Sequence, residues 1–217
     1  MNASLKHRKI EAILGIDPGY TGGLCILLGN VPIVIDPPIR KTQRTAKSKV
    51  RTEFDLERMR DILKPFADQS VVFGIELVSA RPGEGTMSSF HFGEGYASWK
   101  ACATCFGFEV LEISPMKWKQ AYPELVKSDQ TEEIRDEIKA LRSQLKNLVQ
   151  DSDKADANKQ INTLKHKIKY HAKDTARELA QEMFPDIADS FKLKKHDGRA
   201  EACLIAYFLK EHYNELV

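Results

Sequence analysis

A mixed α/β sheet with helices on both faces is expected of this 217-residue chain on three counts. Residues 11 to 36 alternate and turn as a three-stranded antiparallel meander does. Two strand-helix steps then follow, which adds two parallel strands, and the C-terminal end is helical. Residues 124 to 172 keep a different periodicity and read as a helical hairpin inserted into what is otherwise one domain, 1–217.

The meander runs from Glu11 to Asp17, turns at Pro18 to Gly22, continues from Gly23 to Leu28, turns at Gly29-Asn30 and ends over Val31 to Asp36. Pro37-Pro38 stops it. A basic loop leads to a helix expected over Phe54 to Ala67, because Phe54, Leu56, Met59, Leu63 and Phe66 form a helical stripe. Val71 to Ile75 is an unbroken apolar run of strand length, as in a strand covered on both faces, and it ends in Glu76. Residues 79 to 95 are rich in Gly and Ser; a helix follows over Tyr96 to Phe106, then a strand over Phe108 to Ile113. Ser114-Pro115 is a helix start for Met116 to Tyr122. Two more helices are expected over Lys173 to Phe184 and Gly198 to Tyr213. In the inserted stretch Ile134, Ile138, Leu141, Leu145 and Leu148 make one seam and Ile161, Leu164 and Ile168 a second, with the turn at Gln150 to Asp156.

The net charge of +2 points to no particular partner, but charge is distributed unevenly. No acid stands between Asp36 and Glu53, where Arg40, Lys41, Arg44, Lys47, Lys49 and Arg51 fall; a second acid-free run holds Lys159, Lys165, Lys167, Lys169 and Lys173. Such runs are either solvated faces or phosphate-binding surfaces. The apolar run after the basic N-terminus is short and is interrupted by Asp17, so neither a secretory signal nor a membrane span is expected. Cys25, Cys102, Cys105 and Cys203 are scattered, as buried thiols of a reducing compartment are. The expected location is the cytoplasm of a bacterium or phage-infected host, or an organelle.

Asp17 and Glu76 each end a strand. A right-handed crossover makes those strands parallel neighbours, roughly 4.8 Å apart, so the two carboxylates can share one ion. Asp197 and Glu201 lie four residues apart at the start of the last helix and face one side of it. Four converging carboxylates repel one another without cations, and hard oxygen donors suit Mg²⁺ or Mn²⁺. Two such ions can activate a water and stabilise the leaving oxygen of a phosphodiester. Taken singly, each acid also has an ordinary structural reading as a cap, a strand end or a helix-dipole partner.

The run Ile13-Leu14-Gly15-Ile16-Asp17-Pro18-Gly19 with Thr21-Gly22-Gly23 is similar to the first strand of RuvC-type Holliday-junction resolvases. Val72 to Glu76 resembles their second acidic strand, and His196-Asp197-Gly198-Arg199-Ala200-Glu201-Ala202 the final helix of the phage and plant-chloroplast branch. Gly83 to Gly95 and Pro115-Met116-Lys117-Trp118-Lys119 also resemble phage members. The resemblance implies an RNase H-like fold, Asp17, Glu76, Asp197 and Glu201 as metal ligands, Lys119 near the scissile phosphate and Lys173 as a phosphate contact. Asp197 stands where other members carry His or Asp, so direct ligation and service as a base both stay open. The resemblance further implies a homodimer nicking two strands of a four-way DNA junction. Met87, Phe90 and Phe92 become candidates for an apolar wedge at the junction centre, core packing being the ordinary alternative for each. The inserted hairpin has no counterpart in the compact members, and its exposed lysines suggest a clasp on a junction arm, with dimer reinforcement as the alternative.

Three other readings compete. A nucleotide-binding protein of the actin and sugar-kinase type needs two copies of the fold and this chain has room for one, so no nucleotide cofactor is expected. A non-catalytic DNA-binding scaffold would be expected to have lost some of the four carboxylates. Another RNase H-like nuclease, cutting branched DNA or an RNA–DNA hybrid, shares the fold and differs in substrate.

Overall fold

The computed structural model describes residues 9–217 apart from 44, 46–47, 80–84 and 127. Strands β1 (Ala12–Asp17), β2 (Gly23–Leu28) and β3 (Val31–Ile35) form the expected meander, with Ile16 opposite Leu24 and Leu24 opposite Ile35. The basic stretch after it is no plain loop. It holds a separate antiparallel hairpin of β4 (Ile39–Thr42) and β5 (Arg51–Phe54), whose short polar strands lack the apolar alternation that would have announced them.

Helix α1 (Leu56–Leu63) is shorter than its apolar stripe suggested, because Phe54 belongs to β5 and Asp55 caps the helix by accepting the Arg58 N–H. Pro65 lies in the 3-10 turn that ends it. Strand β6 (Val71–Glu76) runs parallel to β1, and β7 (Glu109–Ile113) parallel to β6. The five-stranded order β3-β2-β1-β6-β7 is the RNase H-like arrangement.

Between β6 and β7, α2 (Thr86–Cys105) begins at Thr86, not at Tyr96 as expected. Of the glycines that argue against helix there, Gly95 has a packing reason. A Cβ on Gly95 would sit 2.2 Å from the Pro18 carbonyl oxygen and 2.5 Å from the Phe54 ring, so only glycine lets the helix lie against the turn after β1. Helices α1 and α2 cover one face of the sheet, burying Met59, Leu63 and Trp99 against Leu14, Ile16 and Phe73.

The other face is covered by α3 (Pro115–Gln120), the C-terminal part of α6 (Asp151–Met183) and α7 (Asp197–Leu216), with Trp118, Ala180 and Leu204 among the buried residues. A short α4 (Pro123–Val126) leads to α5 (Asp129–Leu145), capped by Ser128. Helices α5 and α6 make the expected hairpin around Ile138, Ile161 and Leu164, with Ile134, Leu141 and Ile168 packed on them. Leu145 and Leu148 stay outside this cluster, because α5 ends at Leu145. The larger correction concerns α6. The hairpin's second helix and the helix expected from Lys173 are one continuous rod, from the hairpin tip into the core, so the insertion has no boundary at residue 172.

Cys25 and Cys203 are buried, whereas Cys102 is half-buried and Cys105 exposed, so burial does not account for all four thiols. Among the described residues no helix is long and apolar enough to cross a membrane.

Candidate active site

The β1–β6 register pairs Ile16 with Ile75, which sets Asp17 level with Glu76 at the C-terminal ends of neighbouring parallel strands. Both side chains are half-buried and open into a cleft of about 390 Å³, shared with Lys119, Lys173 and Glu201. The floor is therefore set by the sheet.

Glycines let the last helix reach this floor. A Cβ on Gly15 would stand 2.3 Å from the Ala202 carbonyl oxygen, and one on Gly198 2.3 Å from the Gly22 carbonyl. With hydrogen at these positions, α7 lies flush on β1 and on the turn into β2, which carries Asp197 and Glu201 to Asp17. Arg199 fixes the same end of the helix by a two-pronged ion pair with Asp36 at 2.6 Å, just beyond β3.

Negative charge is concentrated where these elements meet. Burial, then the proximity of Glu201 and Glu76, hold the Asp17 carboxyl well above the usual carboxylate range; Asp197 adds to the effect and the Gly19 N–H opposes it. Two lysines answer the acids. Lys119 donates to Glu201 at 2.9 Å and Lys173 pairs with Asp197. Burial disfavours both ammonium charges, yet the surrounding carboxylates raise both pKa values, so both lysines stay protonated. Trp118, fully buried on α3, donates its indole N–H to Glu76 at 2.8 Å and fixes that carboxylate's orientation. Because Trp118 and Lys119 are adjacent, α3 contacts two of the acids at once.

Of the four expected acids, Asp17, Glu76 and Glu201 line one cleft, and Asp197, buried beside it and not on its wall, acts electrostatically on Asp17. Their carboxylates are nonetheless engaged by Lys119, Lys173 and Trp118, and among the described residues no three acidic, His or Cys side chains are drawn together around an ion position. The donor set fits hard divalent cations all the same. Four carboxylate side chains against two ammonium groups leave an excess of negative charge for a cation to offset.

The other expected residues divide. Arg40, Lys41, Lys49 and Arg51 are exposed on the β4–β5 hairpin and none lines the cleft; Arg44 and Lys47 lie outside the described residues. The stretch lacks acids along the chain but not in space, since Arg40 pairs with Glu53 across the hairpin at 2.9 Å. Of the wedge candidates, Met87 and Phe90 stand in solvent at 66% and 65% exposure, against the ordinary expectation of core packing, while Phe92 lines the cleft.

Sequence reasoning missed three contributors: the Trp118 hydrogen bond, the cleft wall made by Ile168 and Lys169 of α6, and Tyr20. The Tyr20 hydroxyl lies 2.9 Å from Glu94, 3.0 Å from the Thr52 carbonyl and 3.0 Å from His91 Nδ1, joining the turn after β1 to β5 and α2. Lys169 belongs to a basic run already visible in the sequence. A tyrosine in a Pro-Gly turn gives no such signal.

By sequence the chain matches no protein-family profile and no curated protein. By structure it is similar to Thermus thermophilus RuvC, solved in complex with a Holliday junction substrate, at 14% identity and a TM-score of 0.46 over 94% of this chain and 95% of that one. A second Thermus thermophilus RuvC structure gives 18% identity and a TM-score of 0.31 over 72% and 93% of the two chains.

Proposed function

We propose that this chain is a divalent-metal-dependent endonuclease that resolves four-way DNA junctions, acting as a homodimer. The observation that carries the reading is the convergence of Asp17, Glu76, Asp197 and Glu201 from two strand ends and one helix start, with Lys119 and Lys173 interleaved. The motif resemblance of the segments that bear these acids supports the junction as substrate, and a two-fold dimer matches a substrate with two equivalent strands to cut.

Asp17, Glu76 and Glu201 would hold the ions, with Asp197 as a further ligand or a base. Bound divalent ions would supply activation of a water and stabilisation of the leaving 3′-oxygen. The protein's own groups do the rest. Trp118 holds Glu76 in one orientation, Lys119 and Lys173 present positive charge to the scissile phosphate, and Phe92 with Ile168 gives the cleft apolar walls.

The test is incubation of the purified protein with end-labelled four-way junction, linear duplex and RNA–DNA hybrid, with and without Mg²⁺. Paired, symmetric nicks in the junction that require Mg²⁺ are expected. Preferential cutting of the hybrid would reassign the substrate, and the absence of cleavage on all three would overturn the nuclease reading.

A further inference from the structure

The α5–α6 hairpin has two grooves of unlike charge. One, of about 560 Å³, is lined by Arg135, Lys139, Arg142, Lys146 and Lys165 over the buried Ile138. The other, of about 260 Å³, sets Glu137 against Lys159. A helix merely rich in solubilising charge would mix signs on both sides, as the second groove does. The first carries no acid in its lining.

Helical geometry makes this a stripe. At about 100° per residue, Arg135, Lys139, Arg142 and Lys146 fall within a sector of roughly 60°, whereas Glu133, Asp136 and Glu137 point elsewhere and Glu132, at the edge of the sector one turn before Arg135, does not line the groove. The four span roughly 16 Å along the axis, the rise of about five phosphates on one strand of a duplex. Among the described residues, Lys139, Arg142, Lys146 and Lys165 have no ion-pair partner, and all four are exposed. No ion pair among the described residues offsets their charge.

The stripe is also continuous with the candidate active site. Lys165, Lys169 and Lys173 follow at intervals of four on α6; Lys165 lines the groove, while Lys169 and Lys173 line the cleft. The hairpin is antiparallel, and Ser128 at the foot of α5 bonds His171 of α6 at 3.0 Å. Arg135 therefore lies nearer the cleft and Lys146 at the far tip.

We propose that this groove is a binding track for the phosphate backbone of the duplex leaving the cleft. The identity of that duplex as DNA rests on the function proposed above; the track itself rests on its own charge and geometry.

The test uses the full chain in EDTA, so that binding is read without cleavage. A fluorescent linear duplex and a four-way junction are titrated with wild-type protein and with a variant carrying Lys139→Gln, Arg142→Gln and Lys146→Gln, across a range of salt. Each lost phosphate contact removes about 0.9 from the slope of log affinity against log salt, so the triple variant should lose about two to three. A companion with Lys139→Arg, Arg142→Lys and Lys146→Arg should keep the wild-type slope, with circular dichroism confirming the helices of both. An unchanged slope in the glutamine variant overturns the track. So does a loss confined to binding of phosphatidylserine vesicles, which would assign the groove to a membrane surface. If wild-type protein cuts junctions and the glutamine variant binds normally, the track falls and the nuclease stands. If no substrate is cut but the slope falls, the track stands and the nuclease reading falls.

Discussion

At Asp17 a carboxylate is held against its own preference, by burial first and by Glu201 and Glu76 next. The folded protein therefore binds this proton more tightly than the unfolded chain does. Stability falls as pH rises from the ordinary carboxylate value through the raised one. Asp17→Asn removes that penalty at neutral pH and should abolish cleavage while raising Tm in EDTA, by about 2–4 °C per kcal/mol regained for a chain of this size. Melting wild-type and variant between pH 4 and 8 checks it. The gap should widen with pH, and a variant that melts below wild type at pH 8 would show that Asp17 supports the fold. Trp118→Phe keeps the buried ring but removes the hydrogen bond to Glu76. Loss of such an orienting partner commonly costs 10–100-fold in metal affinity or activity, so a Mg²⁺ titration of cleavage should shift or drop by about that much. The four acids are legible in the sequence because strand ends and helix starts are. The indole donor is not, since a Trp in an amphipathic helix has the same pattern whether or not its N–H finds a carboxylate.

Helix α7 reaches the cleft because Gly15, against Ala202, and Gly198, against the Gly22 backbone, put no Cβ in its way. Gly198→Ala has to move one of the two backbones at Gly198 and Gly22, an overpacking that costs about 1–3 kcal/mol and displaces both Asp197 and Glu201. The variant should lower Tm and cleavage together; cleavage unchanged to within two-fold would show that the approach can relax without moving the acids. The β4–β5 hairpin gives a second test at this level. Arg40 already answers Glu53, so Arg40→Gln alone should leave the salt dependence of junction binding almost unchanged. Neutralising Lys41, Lys49 and Arg51 together should flatten the slope by up to about three. A large effect of Arg40 alone would mean that its ion pair opens on binding. Elements with strong apolar patterns, β1, β2, β6 and α7, were legible in order and nearly in length. Hairpin β4–β5 was not, since its strands sit apart from the main sheet and bury only Phe54 deeply.

Across the molecule, the organisation differs from a compact domain with a detachable insert. Residues 151 to 183 contain neither Gly nor Pro, a signal that one helix spans them, but the apolar seam ends at Ile168 and the expected insert ends at residue 172. Excising 129 to 168 would remove Ile168 from the cleft wall, so hairpin and cleft are structurally one piece. That continuity turns α6 into a ruler. From Lys173 in the cleft to Asp151 at the tip, 22 residues at 1.5 Å each give roughly 33 Å, the length of about ten base pairs. Cleft and tip cannot close toward each other around a shorter arm, because the rod between them has no hinge. Junctions trimmed one base pair at a time should hold nearly constant affinity down to about ten base pairs per arm and weaken below it, and the triple glutamine variant should show no such step. An even decline across all lengths would mean that nothing at the tip is measuring.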